Sequence, residues 1–322
     1  MQNLQNFFVG VDVGGTNIRV ACSDANGNIR RMEKFATRAE TSLPFEEVVA
    51  RRIEETAAAA GGTARAVGVG IPGTYHAGEV IMSPNIPPFS ARRLIARFAG
   101  EAIPLALLND VKCAALGEHW KGGAQASDNF IFLNIGTGLS LAWVQSGRVY
   151  LGHNACAGEI GYWISRPGDT EGYAAGRAPL EEKFSGRWLA ENAGRALGQS
   201  SLTTRDIFRE YRAGNAAVKL VVDEGVRYLA AMLADVCLAA DPELIVLGGG
   251  VANGADCFLP ALREYLSRTV PFPPRLALSS LEGTAGIYGA IRLALDSISS
   301  DFSPKTNRPS AAGRKDTCHE SK

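Results

Sequence analysis

Residues 7–22 read FFVGVDVGGTNIRVAC. The run 7–13 is apolar and β-branched with Asp12 as its only charge, the pattern of a buried strand. Gly14 and Gly15 interrupt it, residues 17–22 resume it, and Asn26-Gly27 follows as a strong short hairpin signal. The stretch predicts strand, glycine turn, strand, hairpin, strand. The same order returns from residue 130: FIFLNI at 130–135, then Gly136-Thr137-Gly138, a strand over 139–144 and a hairpin turn at Ser146-Gly147. In this alignment Asp12 matches Asn134, Gly14 matches Gly136 and Thr16 matches Gly138. A repeat this long is no solenoid; it predicts two related domains in an α/β fold.

The remaining chain fills in around these two units. Helix 44–60 is expected with Ser42 as cap and Pro44 early, and helix 90–99 with Ser90 as cap and Gly100 after its end. Strand 66–71 ends at Pro72-Gly73, and strand 104–108 runs straight into Asn109-Asp110 and a helix. Helical patterns cover 181–193, 203–213 and 217–240. The last is too apolar for a surface helix and predicts a core helix against a sheet. Strand 244–247 feeds Gly248-Gly249-Gly250, and a strand over 276–279 and a helix over 284–296 complete the fold. Beyond 297 apolar residues are scarce, which predicts a disordered tail. The expected division is a first domain over 1–112, a second over 113–283, helix 284–296 returning to the first, and a tail over 297–322.

Composition removes several function classes. Lysine plus arginine equals aspartate plus glutamate, 33 each among 322 residues, so the chain carries no electrostatic footprint for nucleic acid. No run approaches the ~20 apolar residues of a membrane span. Met1 to Phe8 lacks the charged and apolar regions of a signal peptide, which places the expected compartment in the cytoplasm. The six cysteines and four histidines show no C-x-x-C pair and no metal-ligand spacing.

Three glycine turns, 14–16, 136–138 and 248–250, each follow a buried strand. Glycine lets bare backbone amides approach a phosphate closely. A polyphosphate clamped between two domains would give the three turns one shared reason. None carries the Walker A lysine, and none is a G-x-G-x-x-G opening a helix. Asp110 stands where a strand meets a helix; there a carboxylate either accepts a proton in catalysis or caps the helix. Asp12, beside the first turn, either holds Mg²⁺ or stabilises the turn through its own side chain.

The segments GVDVGGTNIRV, FLNIGTGLSLAWV and LIVLGGGVANG resemble the phosphate and adenosine motifs of the actin–hexokinase superfamily. With SPNIPPF at 83–89, LLND at 107–110, AGEIGYW at 157–163 and PLEEKFSG at 179–186, the chain resembles the ROK family of bacterial sugar kinases and sugar-sensing repressors over residues 7–296. The resemblance implies a two-domain, actin-like (ribonuclease H-like) ATPase fold with its active site in the interdomain cleft. It implies an ATP-dependent kinase that phosphorylates a hexose, glucose first and at the 6-hydroxyl, with N-acetylated hexosamines, mannose, fructose and allose as alternatives. Asp110 would be the catalytic base, and Asn85, Asn109, Asp110, Glu159 and Glu181 would hold the sugar. Asp12, Gly14, Gly15, Thr16 and Asn17, with Gly136, Thr137 and Gly138, would surround the phosphates and Mg²⁺, and Gly248, Gly249 and Gly250 the adenosine. A homodimer is also implied.

The chain departs from the family at one loop. ROK proteins commonly carry a histidine three residues after the glutamate of A-G-E, then a cysteine-rich zinc site. Here Tyr162 stands in that place, and 164–180 holds neither cysteine nor histidine. No structural zinc is expected, and Tyr162 becomes a candidate sugar contact. Glu181 is expected to begin a helix and Glu182 to be a solvated helix residue. A repressor of the same family would need a helix-turn-helix ahead of the first glycine motif, which begins ten residues from the start and leaves no room for one. A chaperone ATPase fits the sugar-binding set less well. A silent sugar sensor would have no use for Asp110.

Overall fold

The computed structural model describes residues 5–299 apart from 77, 78 and 84. The expected tail lies outside the described residues from 300 onward. The first half of the chain contains β1 (Gln5–Val13), β2 (Asn17–Ser23), β3 (Ile29–Ala36), α1 (Phe45–Ala59), β4 (Gly62–Ile71), a short ribbon of β5 (Thr74–His76) and β6 (Glu79–Ile81), α2 (Ala91–Gly100), β7 (Leu105–Asn109) and α3 (Asp110–Lys121). The second half contains β8 (Phe130–Ile135), β9 (Leu139–Gln145), β10 (Arg148–Val149), α4 (Gly186–Leu197), α5 (Thr204–Arg212), α6 (Ala216–Ala240), β11 (Leu244–Gly248), α7 (Leu259–Thr269), β12 (Arg275–Leu278) and α8 (Ala285–Ser297).

The repeat read from the sequence is a repeat of topology. One five-stranded sheet has the order β3-β2-β1-β4-β7, and the other β10-β9-β8-β11-β12. In each, a meander of three antiparallel strands precedes two strands that run parallel to its first. The hairpins turn where the sequence places them, with positive φ at Gly27 and at both Ser146 and Gly147.

β1 carries apolar residues on both faces because both faces are covered. Phe7, Val9, Val11 and Val13 share a core with Phe45, Val49 and Ile53 of α1 and Leu94 and Phe98 of α2. On the opposite face Phe8 meets Ile287, Ile291 and Ala294 of α8. That approach requires glycine in the sheet, since a β-carbon at Gly10 would stand 2.7 Å from the Ile291 side chain. The second sheet repeats the scheme. Ile131, Leu133, Ile245 and Leu247 face a cluster with Val218, Val222, Leu229 and Leu233 of α6, so the apolar helix is a core helix against a sheet. Its other face meets Val111 and Ala115 of α3. Each half thus lends one helix to the other: α3 leaves the first sheet to cover the second, and α8 leaves the second to cover the first. The expected boundary at 112/113 falls inside α3.

Several boundaries differ from the expectation. α1 is capped by Pro44 with no side-chain hydrogen bond; the Ser42 hydroxyl instead contacts Glu40 at 3.3 Å. Gly100 is the last residue of α2 and not a stop beyond it. The largest correction is at 181–185. The helix starts at Gly186, because Ser185 takes an extended conformation and its hydroxyl accepts from Trp188 N at 3.1 Å. Glu181 and Glu182 lie in tight turns before it, closed by Glu182 N to Ala178 O at 3.0 Å and Lys183 N to Leu180 O at 2.9 Å. Among the described residues no helix is long and apolar enough to cross a membrane.

Candidate active site

The three glycine turns occupy the carboxyl ends of β1, β8 and β11, where open α/β sheets place their ligands. In the first, Gly14 N donates to Asn17 O at 2.9 Å, Thr37 Oγ1 donates to Gly14 O at 2.6 Å, and Thr37 N donates to Thr16 O at 2.9 Å. The turn is fixed from behind, while Gly15 and Thr16 face solvent. Asn85 is exposed and lies against it, its Cβ 3.2 Å from where a β-carbon on Gly15 would be. In the second turn Gly136 N donates to Gly138 O at 3.0 Å. Gly136 O accepts from Gly186 N at 2.8 Å and Thr137 O from Arg187 N at 3.3 Å, so the start of α4 braces it. The third turn adjoins the second. Gly249, at φ +87, is packed so that a β-carbon would stand 2.8 Å from Asn134 Oδ1.

Across the parallel strands of the first sheet, Asp12 pairs with Gly70 and Ile71 with Asn109. A β-carbon on Gly70 would stand 3.6 Å from Asp110 Cα, so glycine at this position clears the space between the ends of β1 and β7. Asp12 is partnered by the residue opposite it in the hairpin: Arg19 Nη1 stands 3.4 Å from Asp12 Oδ2 and 2.6 Å from Gly283 O.

The helix-cap role open to Asp110 is taken by its neighbour. Asn109, not Asp110, is the N-cap of α3: its Oδ1 accepts from Val111 N at 3.0 Å and Lys112 N at 3.1 Å, and its Nδ2 donates to Gly73 O at 2.9 Å. With the cap supplied by its neighbour, Asp110 needs only one bond to the helix, from Val111 N at 2.9 Å. Burial first, then the negative charge of Asp12, pushes its carboxyl up to about 7; Glu159 adds to the rise and the Val111 amide opposes it. Asp12 is raised by burial as well, against the pull of Arg19. This is the environment of a carboxylate poised to exchange a proton near neutral pH.

The second sheet supplies the opposing wall. Gly158, at φ +92, lets the chain pass flat against the Leu141 carbonyl and presents Glu159 at the start of a 3₁₀ turn, Ile160–Tyr162. Burial raises the Glu159 carboxyl, opposed by Lys112 and reinforced by Glu181. Glu181 Oε2 accepts from Leu139 N at 3.0 Å, just beyond the second glycine turn, and its Oε1 pairs with Arg187 at 2.6 Å. Glycine at 138 leaves room for that carboxylate. Tyr162 stacks edge-on with Tyr173, ring centroids 5.5 Å apart. Burial raises its phenol, followed by the charges of Glu159, Glu181 and Tyr173. The loop behind them is closed by Ser165 on Asp169 at 2.6 Å and by Arg177, which pairs with Glu182 and with Glu171. Glu182 is therefore an ion-paired residue of a turn, its side chain partly exposed, and not a helix residue.

Asp110 lies under the charges of Asp12 and Glu159, and Tyr162 under those of Glu159 and Glu181; Asn85 lies against the first turn, and the Asn109 amide is engaged at both ends. Sequence reading passed over Arg19, Lys112 and Arg187. Arg19 was accessible in principle, since a tight hairpin between Val13 and Asn17 sets it opposite Asp12. The other two depend on contacts formed only in three dimensions. Among the described residues no group of three or more His, Cys, Asp or Glu is placed to hold a metal by itself. The donors at Asp12 and Asp110 are hard oxygens in an acidic cluster, which fits Mg²⁺ held by one or two carboxylates together with substrate phosphates.

The ROK family profile matches residues 8–297. The crystal structure of a ROK hexokinase from Thermus thermophilus has a TM-score of 0.75 at 32% identity, covering 89% of this chain and 97% of that one. A ROK family glucokinase from Streptomyces griseus, in complex with glucose and AMPPNP, gives 0.73 at 26% identity, covering 89% and 99%. An N-acetyl-D-glucosamine kinase from Pectobacterium atrosepticum is 28% identical over 308 residues, 89% of this chain and 99% of its own length.

Proposed function

The chain belongs to the ROK family, and on that premise we propose that it is an ATP-dependent sugar kinase transferring the γ-phosphoryl group to a hexose, glucose first, at the 6-hydroxyl. The observation that carries this reading is Asp110: relieved of capping by Asn109 and pushed up to about 7 between Asp12 and Glu159. A sugar hydroxyl is a weak nucleophile, and a carboxylate that accepts its proton as attack proceeds answers that need. Glu159 and Glu181 accept hydroxyls of the ring, Tyr162 adds a phenol to the same wall, and Asn85 closes the side next to the first turn. The amides of Gly14–Thr16 and of Gly136–Gly138, with the hydroxyls of Thr16 and Thr137, bind and orient the triphosphate, and Asn17 holds the closing residue of the first turn. Gly248–Gly250 border the adenosine. Asp12 would hold Mg²⁺, which when bound offsets charge on the phosphates. Closing the two halves on both substrates excludes water from the γ-phosphate.

The P. atrosepticum relative acts on an N-acetylated hexosamine by its name, so that class is the second substrate reading. A coupled ADP-release assay across hexoses and hexosamines tests both. One sugar should raise turnover well above the sugar-free rate, and Asp110→Asn should abolish the increase. A chain that binds sugar without releasing ADP would be a sensor and not a kinase.

A further inference from the structure

Lys112 is 1% exposed, one of the largest fully buried side chains of the protein. It stands two residues past Asp110 in the first turn of α3, where its backbone amide completes the Asn109 cap. Its Nζ donates to Ala155 O at 2.9 Å, across from the first half of the chain to the loop that follows β10. Ala155 holds φ +58, a left-handed conformation uncommon for a residue with a side chain. Glu159 follows four residues later, behind the Ala157 N to Leu151 O bond at 3.1 Å that closes the loop.

A buried ammonium is expensive, and one carbonyl is a poor return for it. The charges around it supply the rest. Asp12 has the Arg19 guanidinium at 3.4 Å, and Glu181 has that of Arg187 at 2.6 Å. Asp110 and Glu159 both act on Lys112, from its own helix and from the loop, together with Cys156 and Cys113. Burial pulls the Lys112 ammonium below its ordinary range, and the two carboxylates hold it up. Lys112 is thus a buried cation bonded through Nζ to the Ala155 carbonyl at 2.9 Å, with the charges of Glu159 and Asp110 acting on it from a distance.

We propose that Lys112 is a positioning residue: its buried ammonium fastens the Ala155 carbonyl, and with it the loop bearing Glu159, to the helix turn bearing Asp110. The sugar ligand and the base, on opposite halves of the chain, then keep one spacing. The catalytic importance of that spacing rests on the kinase reading; the fastening itself does not.

Lys112→Met preserves the stem and removes the charge and the donor; Lys112→Arg keeps both. In hydrogen exchange of the ligand-free protein, amides in 151–160 should exchange faster in Lys112→Met by roughly tenfold or more and return toward wild type in Lys112→Arg. In kinetics the methionine variant should raise the sugar KM roughly tenfold to a hundredfold, with the ATP KM within about twofold. Should Lys112→Met fail to fold, Lys112→Gln, which removes the charge and shortens the reach of the donor, takes the same measurements. Unchanged exchange in 151–160, or equal rises in both KM values, would overturn the proposal. If wild type turns over no sugar, the kinase reading fails while the exchange measurement still decides the role of Lys112.

Discussion

Gly117 of α3 lies so close to Gly289 of α8 that a β-carbon built on it would stand 3.0 Å from the Gly289 amide nitrogen. Each helix covers the sheet of the opposite half, and they cross backbone against backbone. A β-carbon on Gly289 would in turn run into the Cys113 carbonyl, within the first turn of α3 beyond Asp110. Gly289→Ala therefore forces the helices apart at the base of the turn that carries Asp110. Overpacking of this kind costs about 1–3 kcal/mol, read as a lowered denaturant midpoint, and kcat should fall with it. A variant with wild-type midpoint and kcat would show that the crossing yields freely.

Asp110→Asn should lower turnover on the order of 10²- to 10⁴-fold and change stability in a pH-dependent way. The folded-state pKa of Asp110 is raised from 3.8 to about 7, so the folded protein holds this proton over a window where the unfolded chain releases it. Its contribution is complete below the lower value and is lost as pH rises through about 7, with a ceiling of about 4 kcal/mol. Asparagine has no such loss. In nucleotide-free, metal-free buffer, the Tm advantage of the variant should be larger at pH 8 than at pH 5. An equal advantage at both would contradict the raised pKa.

Glu181→Gln keeps an acceptor for the Leu139 amide and gives up the ion pair with Arg187. That pair is partly exposed, so stability should stay within about 1 kcal/mol of wild type. Sugar affinity by titration calorimetry should fall roughly tenfold, the scale of one charged hydrogen bond. Unchanged affinity would remove Glu181 from the sugar site.

Arg177→Gln opens the loop over 164–180 by releasing Glu182 and Glu171. Limited proteolysis should cut there sooner than in wild type, and high salt should reproduce part of the effect, since exposed ion pairs are screened. If cutting is no faster, the Tyr162–Tyr173 contact and the Ser165–Asp169 bond hold the loop without it.

Much of this architecture is local in the chain and so was legible there. β1, its glycine turn and β2 occupy contiguous residues, and a second contiguous copy from Phe130 announces the second sheet. Asp110 was visible because LLND combines a strand end with a helix start. That it is not the cap of α3 was not visible, because the Asn109 bonds are a matter of side-chain direction. Glu181 was placed on a helix because 181–193 has helical spacing, yet Ser185 and Gly186 start that helix later and leave Glu181 to bond Leu139, 42 residues away. Lys112 meets Ala155, 43 residues away, and nothing near Lys112 in the chain marks it as buried. Arg19 and Arg187 pair with acids six or seven residues away, whereas the partner of Lys112 is distant, and periodicity reports none of the three.

One break in the duplication separates the two strand ends. Where β1 ends with the carboxylate of Asp12, β8 carries the amide of Asn134, closed in by Gly249. A pseudo-symmetric cleft with matching cradles would accept a polyanion in either polarity. Under the proposed function, an acid on one side only would give Mg²⁺ a single berth, at Asp12, so a scaffold built twice would take its nucleotide in one orientation.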